Sequence, residues 1–260
     1  MLFAHISDFH VFAGKPESTL VRKDFRDVYP KIIEDINTFI PKIDAVMLTG
    51  DVTDGGTAED YALLKEIMAP LSVPYFPIPG NHDRRKGFRE AFEKDLPLED
   101  KRYLHYEVIF KDTRILALDT MIEGKPAGSL CSTRLNWIRR KLKKPFDGPT
   151  LILMHHPPYI SNLHFFDKIG LIRGRDEFAE IIRNYAGGSL RILSGHIHRP
   201  SMTCWNGVFS MIAGSPSFTA ALDLRPHDAE PPTVADPYVY FIHSSDDKNE
   251  FVVHPRPLAL

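Results

Sequence analysis

The sequence predicts an α/β protein in which two packed sheets are flanked by helices. Three observations predict it. Short apolar runs alternate with stretches of helical periodicity, the pattern of βαβ units joined by right-handed crossovers. Apolar runs end in short motifs rich in carboxylate, amide or imidazole: SDFH, TGD, GNHD, MHHPP and GHIH. The second half of the chain repeats the strand, motif, helix logic of the first.

Leu2 to Ile6 reads as the first strand and leads into SDFH. A helix is expected over Thr19 to Ile40, where Val28, Ile32, Ile33, Ile36 and Ile40 recur near helical spacing and Pro41 stops it. The strand Ala45 to Leu48 delivers Gly50 and Asp51. A helix from Ala58 to Met68 precedes the strand Tyr75 to Ile78, which delivers Gly80 and Asn81. Pro77 and Pro79 cannot donate ladder hydrogen bonds, so this strand belongs at an edge or ends irregularly. A polar helix follows near Lys86 to Lys94. Tyr103 to Phe110 and Arg114 to Leu118 pair across a turn at Lys111 and Asp112. Ser132 or Thr133 caps a helix running to about Leu142. Leu151 to Met154 leads to His155, a helix covers Asp176 to Tyr185, and Arg191 to Leu193 leads to Gly195 and His196. The Pro-rich, acidic stretch from Arg225 to Pro237 reads as a loop or arm.

Ligand sites of open α/β sheets gather outside the carboxyl ends of the strands, where these motifs lie. Carboxylates and imidazoles converging there suit borderline divalent metals. Residues two apart in an extended strand exit point the same way, so Asp8 and His10 can reach one ion, as can His196 and His198. Asp51, in the middle of the order, can bridge two ions. A lone DxH or HxH is common; the joint pattern is what carries the inference. Gly50, Gly80 and Gly195 are expected to allow tight, positive-φ turns that bring the neighbouring ligand inward, or simply to end strands.

The ordered set DxH, GD, GNHD, HHPP and GHxH resembles the calcineurin-like metallophosphoesterases, from about Leu2 to Pro216, and in its compact form the bacterial class III cyclic-nucleotide phosphodiesterases and glycerophosphodiesterases. The resemblance implies a four-layer α/β/β/α sandwich of two mixed β-sheets flanked by helices. It implies one metal on Asp8, His10, Asp51 and His198 and a second on Asp51, Asn81, His155 and His196. It also implies that His82 faces the phosphate or the leaving group and that Asp83 orients it. Purple acid phosphatases of the wider superfamily carry a tyrosine three positions after the bridging aspartate. Asp54 stands there, so a tyrosinate-iron site is not expected. His156, beside a ligand, is expected to make a supporting hydrogen bond.

Two divalent cations, two carboxylates and a bridging hydroxide leave about +1 net charge, which suits a phosphodiester. Metal coordination lowers the pKa of water toward roughly 7, giving a hydroxide for in-line attack on phosphorus. The expected activity is therefore metal-dependent hydrolysis of a small-molecule phosphodiester, with two divalent or mixed-valence ions (Mn, Fe, Zn or Co). A monoesterase, pyrophosphatase or nuclease of the same superfamily and a non-catalytic scaffold remain as alternatives.

The 260 residues are read as one domain, with a cap or oligomerisation arm around 160–175 and 222–260. A formal charge of -2 with both signs mixed predicts no stable nucleic-acid complex. Cys131 and Cys204 form no CxxC pair and read as small packing residues in a reducing compartment. No stretch approaches the roughly 20 apolar residues that cross a membrane, and MLFAHISDFH lacks the parts of a secretory signal, so a cytoplasmic protein is expected. Compact relatives in the resembled family often assemble, so a homo-oligomer is expected as well. The segment SNLHFFDKIGLIRGRDEF is expected to overhang the metals. Asn81 and His82, with His164, Phe165, Phe166 and Phe218, are the candidate substrate contacts; an aromatic platform there would favour a nucleotide base, while the two adjacent phenylalanines read first as packing residues or part of a subunit contact. Glycerophosphodiesterases of the resembled family can place another histidine after GHxH; GSPSFTAALDL has none.

Overall fold

In the computed structural model, which describes residues 1–245 and 251–260, the chain begins with a βαβαβ run that builds most of one sheet. β1 (Leu2–Ile6), α1 (Phe25–Thr38), β2 (Ala45–Leu48), α2 (Ala58–Met68) and β3 (Tyr75–Pro77) follow in order, with the three strands parallel. After α3 (Arg85–Phe92) comes the hairpin of β4 (Tyr106–Phe110) and β5 (Thr113–Leu118), turned at Lys111, whose φ is +53°. β6 (Met121–Ile122), β7 (Lys125–Ser129), α4 (Ser132–Leu142), β8 (Thr150–Met154), α5 (His164–Ile169), β9 (Leu171–Arg173), α6 (Arg175–Arg183) and β10 (Leu190–Ser194) follow. The chain continues through β11 (Ser201–Trp205), β12 (Val208–Ile212), β13 (Thr219–Ala220) and β14 (Thr233–Val234), then β15 (Tyr238–Ser245) and β16 (Phe251–Leu258).

The first sheet has the order β16-β15-β1-β2-β3 and the second β11-β12-β10-β8-β5-β4. Both are mixed: in the first, β1, β2 and the edge strand β3 are parallel while β15 and β16 add antiparallel on the other side, and in the second a parallel centre is flanked by antiparallel edge strands β11 and β4. Alternation along the second sheet defines its two faces. Ile115, Ala117, Leu151 and Leu153 join the large core shared with the first sheet and α1 and α2, whereas Leu116, Leu118, Ile152 and Met154 pack against α4 and α6. The result is the expected four-layer sandwich. β3, which ends at Pro77, is an edge strand, one of the two placements that Pro77 and Pro79 allow.

Two expectations change. The first helix begins at Phe25 rather than Thr19, because residues 12–24 are tied down elsewhere: the amides of Glu17 and Ser18 bond the Asp54 carboxylate and Arg22 donates to the Pro216 carbonyl. The tail expected to project beyond Leu222 does so only to Pro237. Tyr238–Ser245 then runs antiparallel to β1 and buries Tyr240, Phe241, Ile242 and His243 in the core.

Candidate metal centre

Five strands from both sheets aim their carboxyl ends at one crevice. β1 supplies Asp8 and His10, β2 Asp51, β3 Asn81, β8 His155, and β10 His196 and His198. The chain does not leave these strands extended. Asp8, His10, Asp51, His196 and His198 have φ of +56°, +47°, +45°, +77° and +56°. Left-handed backbone costs a non-glycine residue roughly 1 kcal/mol or more, so the surrounding structure must hold each one. Backbone bonds do this: Asp8 N to Gly50 O at 3.0 Å, His10 N to Asp51 O at 2.9 Å, and His196 N to the Asp8 carboxylate at 3.0 Å. The pairs two apart therefore converge through left-handed turns, not through an extended exit. Of the three motif glycines only Gly50 has positive φ, at +95°. Gly80 and Gly195 are needed for close approach instead. A Cβ at Gly80 would strike the Asp51 carboxylate and amide, and one at Gly195 would strike Ser7 Oγ and the Asp8 carboxylate.

The donor atoms form two sets. Asp8, His10, Asp51 and His198 make one, with His10 Nε2 3.0 Å from His198 Nε2 and 3.7 Å from Asp51 Oδ2, and His198 Nε2 3.5 Å from Asp8 Oδ1. In the other, His155 Nε2 lies 3.2 Å from both Asp51 Oδ2 and Asn81 Oδ1, and His196 Nδ1 lies 3.0 Å from Asn81 Oδ1. Two donors held about 2.0–2.2 Å from one ion at near-octahedral or tetrahedral angles stand roughly 2.8–3.6 Å apart, so every one of these contacts except the 3.7 Å between His10 and Asp51 has the length of a coordination edge. Asp51 Oδ2 belongs to both sets. Imidazole, carboxylate and amide oxygen donors suit divalent transition metals, and the residues fit a pair of them.

Behind the donors, hydrogen bonds fix the tautomers. Nδ1 of His10 donates to Asp54 Oδ1 at 3.1 Å, Nδ1 of His155 to Thr49 O at 2.8 Å, and Nδ1 of His198 to Phe218 O at 3.3 Å. Each leaves an Nε2 lone pair facing the cluster. His196 is reversed: Nδ1 faces the cluster, and Nε2 is buried without a partner among the described residues. His156 lies beside His155 and His196, but both its nitrogens are engaged, Nδ1 with Thr120 Oγ1 at 2.8 Å and Nε2 with Pro126 O at 3.0 Å. It is a wall of the site.

The pocket concentrates negative charge. Burial disfavours protonated His155, yet Asp51 and then Asp8 outweigh it and raise its pKa to about 9. Burial likewise opposes protonated His82, and Asp51 and Asp54 lift it to about 9. Burial pushes the Asp8 carboxyl up to about 6, with His155 opposing and Asp51 reinforcing the rise. The field that keeps protons on these imidazoles is one that draws in divalent cations.

His82 is held by its backbone amide, which donates to Asp51 Oδ1 at 2.8 Å, and by its Nδ1, which lies 3.2 Å from Asp54 O and 3.3 Å from Asp54 Oδ1. The partner expected to orient it was Asp83, and the structure assigns that contact to Asp54. Asp83 points away, accepting from Val52 N, Thr53 N, Thr53 Oγ1, Gly80 N and Tyr61 Oη, and so ties together the loops that carry Asp51 and Asn81. Asp54 is the residue the sequence reading missed. Its only signal in the sequence is a second carboxylate three positions after Asp51, at the position where purple acid phosphatases carry a tyrosine.

The expected substrate contacts divide. Phe218 stacks on His198, ring centroids 3.9 Å apart and planes 23° apart. Phe166 sets its edge toward His196 at 6.2 Å but is buried with Tyr159, Leu163, Ile197, Ile212 and Ala220, and half-buried Phe165 packs on that cluster. His164 turns away from the donors: its Nε2 lies 3.4 Å from Asp228, which Lys168 also bonds. These contacts clasp the overhang to the projecting 221–237 segment.

A family model described as calcineurin-like phosphoesterase matches residues 1–200. A probable glycerophosphodiester phosphodiesterase GpdQ of Arcobacter nitrofigilis is 35% identical over 254 residues, 98% of this chain and 92% of that protein. A probable cyclic nucleotide phosphodiesterase of Rhodopseudomonas palustris is 31% identical over 227 residues, 84% of this chain and 79% of its own. Among solved structures, purple acid phosphatase PPD1 from yellow lupin seeds superimposes with a TM-score of 0.76 at 15% identity, covering 98% of this chain and 51% of that one, a likeness of fold.

Proposed function

The chain belongs to the calcineurin-like phosphoesterase family, and on that premise we propose that it hydrolyses a small-molecule phosphodiester at two divalent cations bridged by Asp51. One cation would be held by Asp8, His10, Asp51 and His198, the other by Asp51, Asn81, His155 and His196. The observation that carries the assignment is the position of Asp51 Oδ2 between two donor sets, 3.2 Å from His155 Nε2 and 3.7 Å from His10 Nε2. The relatives named for glycerophosphodiesters and for cyclic nucleotides act on different diesters, and what they have in common supports the diester class. When bound, such cations supply Lewis acidity and make water a competent nucleophile near neutral pH.

The chain's own residues do the rest. Asp8 and Asp51 are fixed by backbone amides, so the site does not reorganise as charge builds on the phosphoryl oxygens. His82 holds a proton, Asp54 anchors its Nδ1, and its side chain is 27% exposed; we assign it protonation of the departing oxygen. Phe218, against His198, forms an apolar wall beside the donors. Mn, Fe, Co and Zn all match the donor types. We place the enzyme in the cytoplasm, which the free thiols of Cys131 and Cys204 support; among the described residues no helix is long and apolar enough to cross a membrane.

Turnover of bis(p-nitrophenyl) phosphate and p-nitrophenyl phosphate, after reconstitution with each metal and with Asn81→Ala as control, tests the assignment. Diester preference that disappears in the variant is expected. Monoester preference, or full activity in metal-free protein, would overturn it.

A further inference from the structure

A cluster of cationic and aromatic side chains surrounds the start of α4, apart from the proposed metal ligands. Cys131 is the N-cap residue of that helix, no side-chain cap bond forms at its first turn among the described residues, and the Arg134 amide and the positive end of the helix dipole face the sulfur. Tyr103, buried, brings its hydroxyl to 3.2 Å from Cys131 Sγ. Arg134, 4% exposed, holds its guanidinium 4.8 Å above the Tyr103 ring, and Arg85 and Arg102 approach the same ring at 5.2 and 5.3 Å. Nη1 of Arg134 donates to the carbonyls of Asp119 and Met121. Its Nε is buried with no partner among the described residues, and the guanidinium is near enough to Cys131 to favour the thiolate. A buried N–H donor that lacks an acceptor, on a guanidinium near a thiol, is able to bond an oxygen added to the sulfur.

We propose that Cys131 is a modification site, a thiolate that a hydroperoxide oxidises to a sulfenate whose oxygen accepts from Arg134 Nε. The sulfur attacks the terminal peroxide oxygen, the S–O bond forms as the O–O bond breaks, and the leaving hydroxide (from hydrogen peroxide) or alkoxide (from an organic hydroperoxide) takes the proton of the new S–OH, giving water or an alcohol and the sulfenate. Sulfur loses two electrons and the peroxide gains them. Burial opposes ionisation of the thiol, but the Tyr103 hydroxyl and then Arg134 outweigh it and bring its pKa down to about 6. Low-pKa, partly accessible thiols next to cations are the ones that oxidise selectively.

Cys204, exposed on β11, is the internal comparison. The full chain loaded with redox-inert zinc is treated with hydrogen peroxide and dimedone, then digested and analysed by mass spectrometry. The adduct should form at Cys131 ahead of Cys204. Iodoacetamide at pH 6 should alkylate Cys131 about tenfold faster than an ordinary thiol, the larger thiolate fraction outweighing its lower nucleophilicity. Tyr103→Phe, which keeps the ring, should slow both reactions and move the alkylation midpoint upward. Arg134→Gln should shorten the life of the sulfenate, and if that variant does not fold, Tyr103→Phe still decides. Earlier labelling of Cys204, a Cys131 midpoint near the ordinary thiol value, or no effect of Tyr103→Phe would overturn the proposal.

Discussion

Replacing Asp54 with asparagine should disorient one proposed metal ligand while leaving every ligand in place. The Asp54 carboxylate accepts from His10 Nδ1 at 3.1 Å on one oxygen and from the amides of Glu17 and Ser18 at 2.5 and 3.2 Å on the other. Asparagine has a single acceptor oxygen. If that oxygen faces His10, the new amide N–H groups meet the backbone amides of residues 17 and 18, leaving donors unsatisfied at about 1–3 kcal/mol each and loosening the loop before α1. If it faces the loop, the amide nitrogen meets His10 Nδ1 and drives the ring proton to Nε2, where the metal-facing lone pair should be. Loss of such a supporting carboxylate costs roughly 10–100-fold in metal affinity, about 1.4–2.8 kcal/mol. His82 loses the neighbouring negative charge as well. The expected result is a 10–100-fold weaker metal titration, read by calorimetry on stripped protein, and a drop of about two orders of magnitude in kcat/KM. Affinity and turnover both within threefold of the parent would refute the positioning argument.

Chelation should abolish turnover and also lower the melting temperature. Ligand at 100 times its Kd stabilises by about 2.7 kcal/mol per site, roughly 5–10 °C here, and an unchanged melting curve would count against bound cations. Gly80→Ala should cost at least tenfold in metal affinity because its Cβ collides with Asp51, whereas Gly124→Ala, at φ +75° with nothing within 4 Å, should cost about 1 kcal/mol of stability and leave activity intact. Equal metal affinity in the two variants would refute the close-approach reading. Burial depresses His5 to about 3 from 6.5, the Ser194 backbone opposing. Its stabilising contribution is therefore complete above pH 6.5 and is lost as pH falls toward about 3, at about 1.4 kcal/mol per pH unit. His5→Asn should remove one such increment from the slope of urea-denaturation free energy against pH; parallel slopes would show His5 to be silent.

Much of the site was legible because its donors sit in short motifs directly after apolar runs, and strand ends are where an α/β sheet gathers ligands. The supporting contacts were not legible. Asp54 and Asp83 are both carboxylates next to motif residues, and only three-dimensional placement reveals that the first faces the imidazoles while the second knots two loops. The left-handed backbone at Asp8, His10, Asp51, His196 and His198 was assigned beforehand to glycines, since intrinsic preference favours them and only tertiary hydrogen bonds hold other residues there. In the fold, periodicity located α2, β4, β5 and α6 closely. It overextended α1, because residues 19–24 carry a compatible apolar pattern while Glu17 and Ser18 just before them bond Asp54 and Arg22 reaches the Pro216 carbonyl. β15 went unread as a core strand because its partner, β1, lies at the other end of the sequence.

That partnership bears on how the enzyme is made. β1 lies between β2 and β15, so the strand that delivers Asp8 and His10 keeps one hydrogen-bonding edge open until Tyr238–Ser245 has left the ribosome, after the whole second sheet. Pairings this distant in sequence form late and slowly. A nascent chain halted anywhere before Tyr238 would display an apolar, unpaired β1 edge to its neighbours on the polysome. The ligands that β1 delivers are thus among the last to be locked in place, and metal acquisition by this protein is expected to follow the emergence of β15.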